Sequence, residues 1–99
     1  MNYKNINKKQ LKEILDKKED IVLIDVRTKD EFLEGSIESA INLPLQDIPY
    51  NIDELDEYRD SKIVIYCRSG HRSITACNLL SVEGFDNLYN LDKGIIDYF

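Results

Sequence analysis

Cysteine is scarce in this 99-residue chain: Cys67 and Cys77 are the only two. That is too few for a disulfide framework and fits a reducing compartment. Long apolar runs are missing as well, none approaching the ~18 residues of a membrane span, and the opening Met1-Asn2-Tyr3-Lys4-Asn5 is polar, unlike a signal peptide. A soluble, cytoplasmic protein is expected. Basic charge is in deficit, with 13 Lys and Arg against 19 Asp and Glu for a formal net charge of −6, and the basic residues form nothing longer than short Lys pairs. Such a field repels phosphate backbones and anionic lipid, so neither nucleic acid nor membrane is an expected partner. The only prolines, Pro44 and Pro49, bracket one short loop, and no linker, repeat or low-complexity tract divides the chain. One domain over residues 1–99 is therefore expected. A domain of this size buries roughly 60 to 65% of its unfolded surface, enough for one core, so site and scaffold must share the same elements.

What is present alternates between helical and strand patterns. Leu11, Ile14 and Leu15 fall at helical spacing after Asn7, a candidate N-cap preceded by Ile6, and predict an amphipathic helix over 8–18. Ile21-Val22-Leu23-Ile24 is a continuous aliphatic run, the mark of a strand covered on both sides, and ends at Asp25. Thr28-Lys29-Asp30-Glu31 reads as a capping box opening a short helix that Gly35 closes. Residues 40–43 suggest a short strand, and 44–60 a loop with a helical turn or two around Ile52 and Leu55. Lys62 to Tyr66 reads as a second buried strand, 72–83 as a helix stopped by Gly84, Asn87 to Leu91 as a last strand and Gly94 to Phe99 as a short terminal helix. Strands alternating with helices predict right-handed crossovers and an α/β fold, a mainly parallel sheet with helices on both faces.

The segment Cys67-Arg68-Ser69-Gly70-His71-Arg72 joins a buried strand to a helix, where open α/β sheets place their ligands. Loop amides and the unpaired amides of the first helical turn converge there, and Gly70 permits positive φ or close approach, so the geometry is that of an anion site with Cys67 at its base. A free thiol with a pKa near ~8.5 is only about 3% thiolate at pH 7, and a downward shift of ~2 units requires ~2.7 kcal/mol of differential stabilisation. A helix N-terminus and the guanidinium groups of Arg68 and Arg72 act in that direction, with His71 adding to them when protonated. From Ser61 to Val82 there is no Asp or Glu, so a positive patch is expected inside a negative protein.

Cys67 through Ser73 resembles the active-site loop of single-domain rhodaneses, the thiosulfate sulfurtransferases. Asp25-Val26-Arg27, Glu31 through Gly35, Ile37, Ala40-Ile41-Asn42-Leu43-Pro44, and Leu91 with Gly94 are similar to other signatures of that family, so the resemblance covers almost the whole chain. It implies a rhodanese-like fold of five mainly parallel strands flanked by helices. It also implies a ping-pong reaction: Cys67 takes the outer sulfur of a donor such as thiosulfate, holds it as a persulfide, and yields it to cyanide, a thiol or a protein relay partner. Loop residues Arg68, Ser69, Gly70, His71, Arg72 and Ser73 would hold the donor, without metal or organic cofactor. Ser36 stands where the family often has His, Lys93 where it often has Gly, and Tyr98 where Trp is common. Lys93 and the terminal aromatic residues would then border the entrance and affect donor preference.

Plainer roles compete for the same residues. Cys67 as a small hydrophobe ending a strand is disfavoured by the Arg, Gly, His and Arg that follow it. Cys77 shares a helical face with Ser73, Ala76 and Leu80 and is expected to be a packed core thiol. His71 is as consistent with an exposed loop role as with ligand contact. Cys67, His71 and Cys77 match no common zinc spacing and have no fourth ligand. Asp25 and Arg27 are expected to give structural support, pairing or capping nearby backbone, and the pairs Asp30-Glu31 and Asp53-Glu54 to cap helices and cover wet faces. Two other functions remain open. Cysteine phosphatases and arsenate reductases of related fold place an arginine six positions after the cysteine, whereas here Ser73 stands there and Arg72 precedes it, a tighter cup suited to one sulfur atom. A non-catalytic rhodanese-like module, binding a partner or sensing redox state, is disfavoured by the intact cysteine and arginines.

Overall fold

The computed structural model describes residues 2–99. Its elements run β1 (Lys4–Ile6), α1 (Lys8–Asp16), β2 (Ile21–Asp25), α2 (Lys29–Glu34), β3 (Ile41–Asn42), a 3-10 segment Leu45–Tyr50, α3 (Ile52–Leu55), a 3-10 turn Asp56–Tyr58, β4 (Lys62–Tyr66), α4 (His71–Val82), β5 (Leu88–Leu91) and a 3-10 turn Ile95–Asp97. The described residues form a five-stranded sheet in the order β1-β5-β4-β2-β3, every neighbouring pair parallel. The fold is α/β, with α4 on one face of the sheet and α1 on the other.

Period-two alternation along β4 divides the core. Ile63 and Ile65 face one side with Ala76, Cys77 and Leu80 of α4, while Val64 and Tyr66 face the other with Leu11 of α1, Ile37 and Tyr98. Ile63, Val64, Ile65 and Tyr66 are each at most 1% exposed. Burying each large aliphatic side chain there contributes about 1.5–3 kcal/mol, which is why the central strands read as unbroken apolar runs.

The N-cap expected at Asn7 and the capping box expected at Thr28 are both formed, and the Gln10 side chain makes the first a capping box as well: Asn7 Oδ1 accepts from the Gln10 amide at 2.8 Å and Thr28 Oγ1 from that of Glu31 at 3.2 Å. Several boundaries differ from expectation. α1 stops at Asp16 and not 18, because Lys18 turns into left-handed backbone (φ 55°) to start the return toward β2. The strand expected over 40–43 shrinks to Ile41–Asn42 at the sheet margin, and the terminal helix to one 3-10 turn. β1 was not evident at all. Of its three residues only Ile6 is buried, and pairing with β5, not a periodic pattern, holds it.

The strand order places the site. From β2 the chain moves outward to β3, whereas from β4 it moves outward to β5, on the opposite side. The carboxyl ends of adjacent β2 and β4 therefore border the crevice where an open parallel sheet binds its ligand. Arg27 follows β2 and Cys67 follows β4.

Candidate active site

Cys67 is 1% exposed, yet its sulfur does not sit among carbon atoms alone. The Gly70 amide donates to Sγ at 3.1 Å, and Ser73 Oγ lies 3.5 Å away. No side chain caps α4; its N-cap is Gly70, in left-handed backbone (φ 97°), and the Cys67 sulfur takes the place of a cap toward the Ser73 amide at the third helical position, besides accepting from Gly70 itself. A Cβ on Gly70 would lie 2.2 Å from the Asp92 carbonyl oxygen, so only glycine allows this loop to pack against the end of β5.

The loop's carbonyls are tied back on the other side. Ile95 donates its amide to Cys67 O at 2.9 Å and Ile96 to Arg68 O at 3.0 Å. With those oxygens engaged, the peptide groups turn N–H toward the sulfur. Gly94 (φ 64°) makes the approach possible, since a Cβ there would stand 2.3 Å from Arg68 O. Burial pushes the Cys67 thiol up, but the Ser73 hydroxyl and the amides of Ser73, Ser69 and Gly70 outweigh it and hold the thiol below its ordinary range. Cys77, fully enclosed with no such partners, is pushed up to about 12 by burial. Alkylation of the native protein is accordingly expected to modify Cys67 with a pH midpoint below that of an ordinary free cysteine, and Cys77 only after unfolding. Intact mass against pH reads both; equal labelling of the two thiols would contradict it.

The arginines are placed differently from expectation. Arg72 forms a two-pronged ion pair with Glu31 of α2, at 2.7 and 2.8 Å. The Arg72 contact holds the Glu31 carboxyl well below the usual carboxylate range, at about 2, so the pair persists through neutral and mildly acidic pH. Glu31 thus does more than cap α2. The stretch free of acids along the chain is not free of them in space, and the stabilisation of the Cys67 sulfur comes from the hydroxyl and amides before any guanidinium. Arg68 and Ser69 are exposed; so is His71, whose Nδ1 lies 3.2 Å from Ser69 Oγ.

Beside the loop opens a cleft of about 260 Å³ lined by Arg27, Glu31, Gly35, Arg68, Ile95 and Phe99. Phe99 does border this opening. Tyr98, in contrast, is packed into the core at 7% exposed, and Lys93 lines a separate cleft with Lys8 and Asp97. Neither meets the entrance as anticipated.

Asp25 and Arg27 form a buried ion pair in which Nη2 meets Oδ2 at 2.6 Å and the Arg27 amide donates to Oδ1 at 2.9 Å. Arg27 Nη2 also donates to Gly35 O at 2.6 Å, fastening the end of α2 to the sheet. Among the described residues no group of three His, Cys, Asp or Glu side chains is arranged to hold a metal ion.

One polar chain escaped sequence reading. Ser73 Oγ donates to Asn90 Oδ1, and Asn90 Nδ2 donates to Asn5 Oδ1 at 3.0 Å. Ser73 is 0% and Asn90 1% exposed. The one available signal was an asparagine in an otherwise buried strand, where an amide costs stability unless it is fully hydrogen-bonded.

The sequence profile of the rhodanese-like domain matches residues 7–98. The chain belongs to the rhodanese-like family. A sulfurtransferase of Allochromatium vinosum is 42% identical over 92% of this chain and 83% of its own length. A putative sulfurtransferase of Bacillus subtilis is 38% identical over 97% and 90%. The crystal structure of a rhodanese-like domain protein from Staphylococcus aureus superposes with a TM-score of 0.88 at 28% identity, covering 97% of this chain and 91% of that one. The loop from Cys67 to Ser73, described above from its geometry, thus lies within a rhodanese-like domain. No helix among the described residues is long and apolar enough to cross a membrane.

Proposed function

We propose that this rhodanese-like protein is a sulfurtransferase that carries a sulfane sulfur on Cys67. The observation that supports this best is the Cys67 sulfur, buried at the end of β4 yet met by the Gly70 amide at 3.1 Å and the Ser73 hydroxyl at 3.5 Å. That surrounding suits a sulfur that must be anionic before reaction and again after it.

With thiosulfate as donor, the Cys67 thiolate attacks the outer sulfur. An Sγ–S bond forms, the bond to the sulfonate sulfur breaks, and its electron pair departs with sulfite. A thiolate or cyanide acceptor then attacks the outer sulfur of the persulfide, and the pair of the breaking Sγ–S bond returns to Cys67. The electron count closes without oxidant, reductant, metal or organic cofactor. Amides of Ser69, Gly70 and Ser73 stabilise the anion, and exposed Arg68, which has no ion pair among the described residues, meets the donor's sulfonate with His71 beside it. Arg72 serves the site by anchoring the loop to Glu31, with Asp25 and Arg27 supporting it from β2. One domain, small-molecule or persulfide donors, a thiol acceptor or protein relay partner, and a reducing cytoplasmic setting complete the reading.

The test is intact-protein mass after incubation with thiosulfate. A gain of one sulfur atom is expected, reversed by cyanide and absent in Cys67→Ala. No gain with thiosulfate or with a small persulfide would favour a binding module, and robust aryl phosphate hydrolysis that depends on Cys67 would favour a phosphatase.

A further inference from the structure

The reaction just described leaves Asn90 and Asn5 without a task. Asn90 is 1% exposed, lies between Tyr89 and Leu91 in β5, and registers directly with Asn5 of β1. Both point to the face that carries Ser73 and Cys67, since Ser73 Oγ, Asn90 and Asn5 are joined by consecutive hydrogen bonds.

The directions of those bonds matter. A serine hydroxyl has one proton, and Ser73 gives it to Asn90 Oδ1. The contact between Ser73 Oγ and Cys67 Sγ is then made by the thiol's own proton. An ionised sulfur has no proton to give and needs a donor in that place. An amide can supply one by turning over, because it exchanges an acceptor for a donor at either end.

We propose that Asn90 and Asn5 form a two-position hydrogen-bond switch that turns the Ser73 hydroxyl toward Cys67 when its sulfur is ionised, which makes them positioning residues for the nucleophile. In the first position the thiol donates to Ser73 Oγ, Ser73 to Asn90 Oδ1, and Asn90 Nδ2 to Asn5 Oδ1. In the second, the thiol proton has passed to solvent and both amides have turned. Asn5 Nδ2 donates to Asn90 Oδ1, Asn90 Nδ2 to Ser73 Oγ, and Ser73 Oγ–H to the thiolate. Three hydrogen bonds exist in each position, so no buried polar atom is orphaned by the change. The Gly70 amide serves the sulfur in both. Asn5 is exposed, so the turning end of the chain is the one with water around it.

The charged and titratable side chains on the surrounding elements are Lys4 on β1, Arg68, His71 and Arg72 on the loop and α4, Asp92 and Lys93 after β5, Asp25 and Arg27 on β2 and after it, and Asp47 in the 3-10 segment; none of them is a partner in the Cys67, Ser73, Asn90 and Asn5 chain. The switch therefore acts through the Ser73 proton alone. The inference rests on Cys67 being the reactive thiol, but thiol ionisation is read without any sulfur donor, so it stands or falls separately from sulfur transfer.

Asn5→Asp tests it. A carboxylate only accepts, so it holds Asn90 Nδ2 outward and keeps the Ser73 proton on Asn90. The pH midpoint of Cys67 alkylation is expected to rise by about one unit, a tenfold loss of rate below both midpoints. In a Ser73→Ala background Asn5→Asp is expected to leave the midpoint unchanged. A midpoint unmoved by Asn5→Asp, or moved equally with and without Ser73, would overturn the switch; the second outcome assigns the effect to surface charge.

Discussion

Replacing Asp25 with alanine is expected to lower the unfolding free energy by about 3–5 kcal/mol, because it strands a buried guanidinium. Asp25 is 0% and Arg27 6% exposed, so water cannot take over the lost partner. The carboxylate accepts from the Arg27 amide and from both Nε and Nη2. A domain of this size has about 5–15 kcal/mol in all, so the variant would sit close to the unfolding threshold at 37 °C. The damage would also spread. Arg27 ties Gly35 at the end of α2, and α2 carries the Glu31 that grips Arg72. Denaturant unfolding measures the loss, and Asp25→Ala with Arg27→Met is expected to recover part of it by removing the unpaired charge. A loss under about 1 kcal/mol for Asp25→Ala would show that the pair is not what holds β2 to α2.

Gly70→Ala is expected to have the largest effect on thiol chemistry short of removing the sulfur. The added Cβ would meet the Asp92 carbonyl oxygen at 2.2 Å and its carbon at 3.0 Å, both backbone atoms that no rotamer change can move aside. Left-handed backbone costs a non-glycine residue a further ~1–2 kcal/mol. The loop must then shift, and the amide now 3.1 Å from Sγ shifts with it. Burial would remain while one of the groups that offsets it is lost, so the Cys67 midpoint should rise and its alkylation at pH 7 fall by at least about tenfold. Alkylation within twofold of wild type, in a folded variant, would refute the importance of the Gly70 amide.

The parts of this molecule that could be read from the chain are those whose cause is local. Leu23 and Ile24 of β2 and Ile63 to Tyr66 of β4 are buried on both faces of the sheet, where apolar side chains are what fits. Thr28 and Glu31, or Asn7 and Gln10, satisfy each other across a single helical turn. The loop from Cys67 to Arg72 carries its own glycine and its own amides. What escaped reading depends on partners far along the chain. β1 is held by β5, whose paired residues lie 85 positions later (89 − 4, Lys4 with Tyr89). Arg72 looked available to the sulfur until α2 brought Glu31 to it from 41 positions away. Ser73 was recognisable as part of the segment around Cys67, but its dependence on Asn90 and Asn5 required the register of β1 on β5. The carbonyls of Cys67 and Arg68 are likewise restrained by main-chain amides of Ile95 and Ile96, which no side-chain pattern announces.

The contrast between the two sulfurs has a practical consequence. Cys77 lies sealed in apolar packing with its proton held tightly, while Cys67 faces the amides that draw its proton away. A chromophore, spin probe or cross-linker carrying one electrophile will therefore report on a single position of the folded chain, with no engineered background, and the time course of its attachment is a direct gauge of whether the cup is assembled.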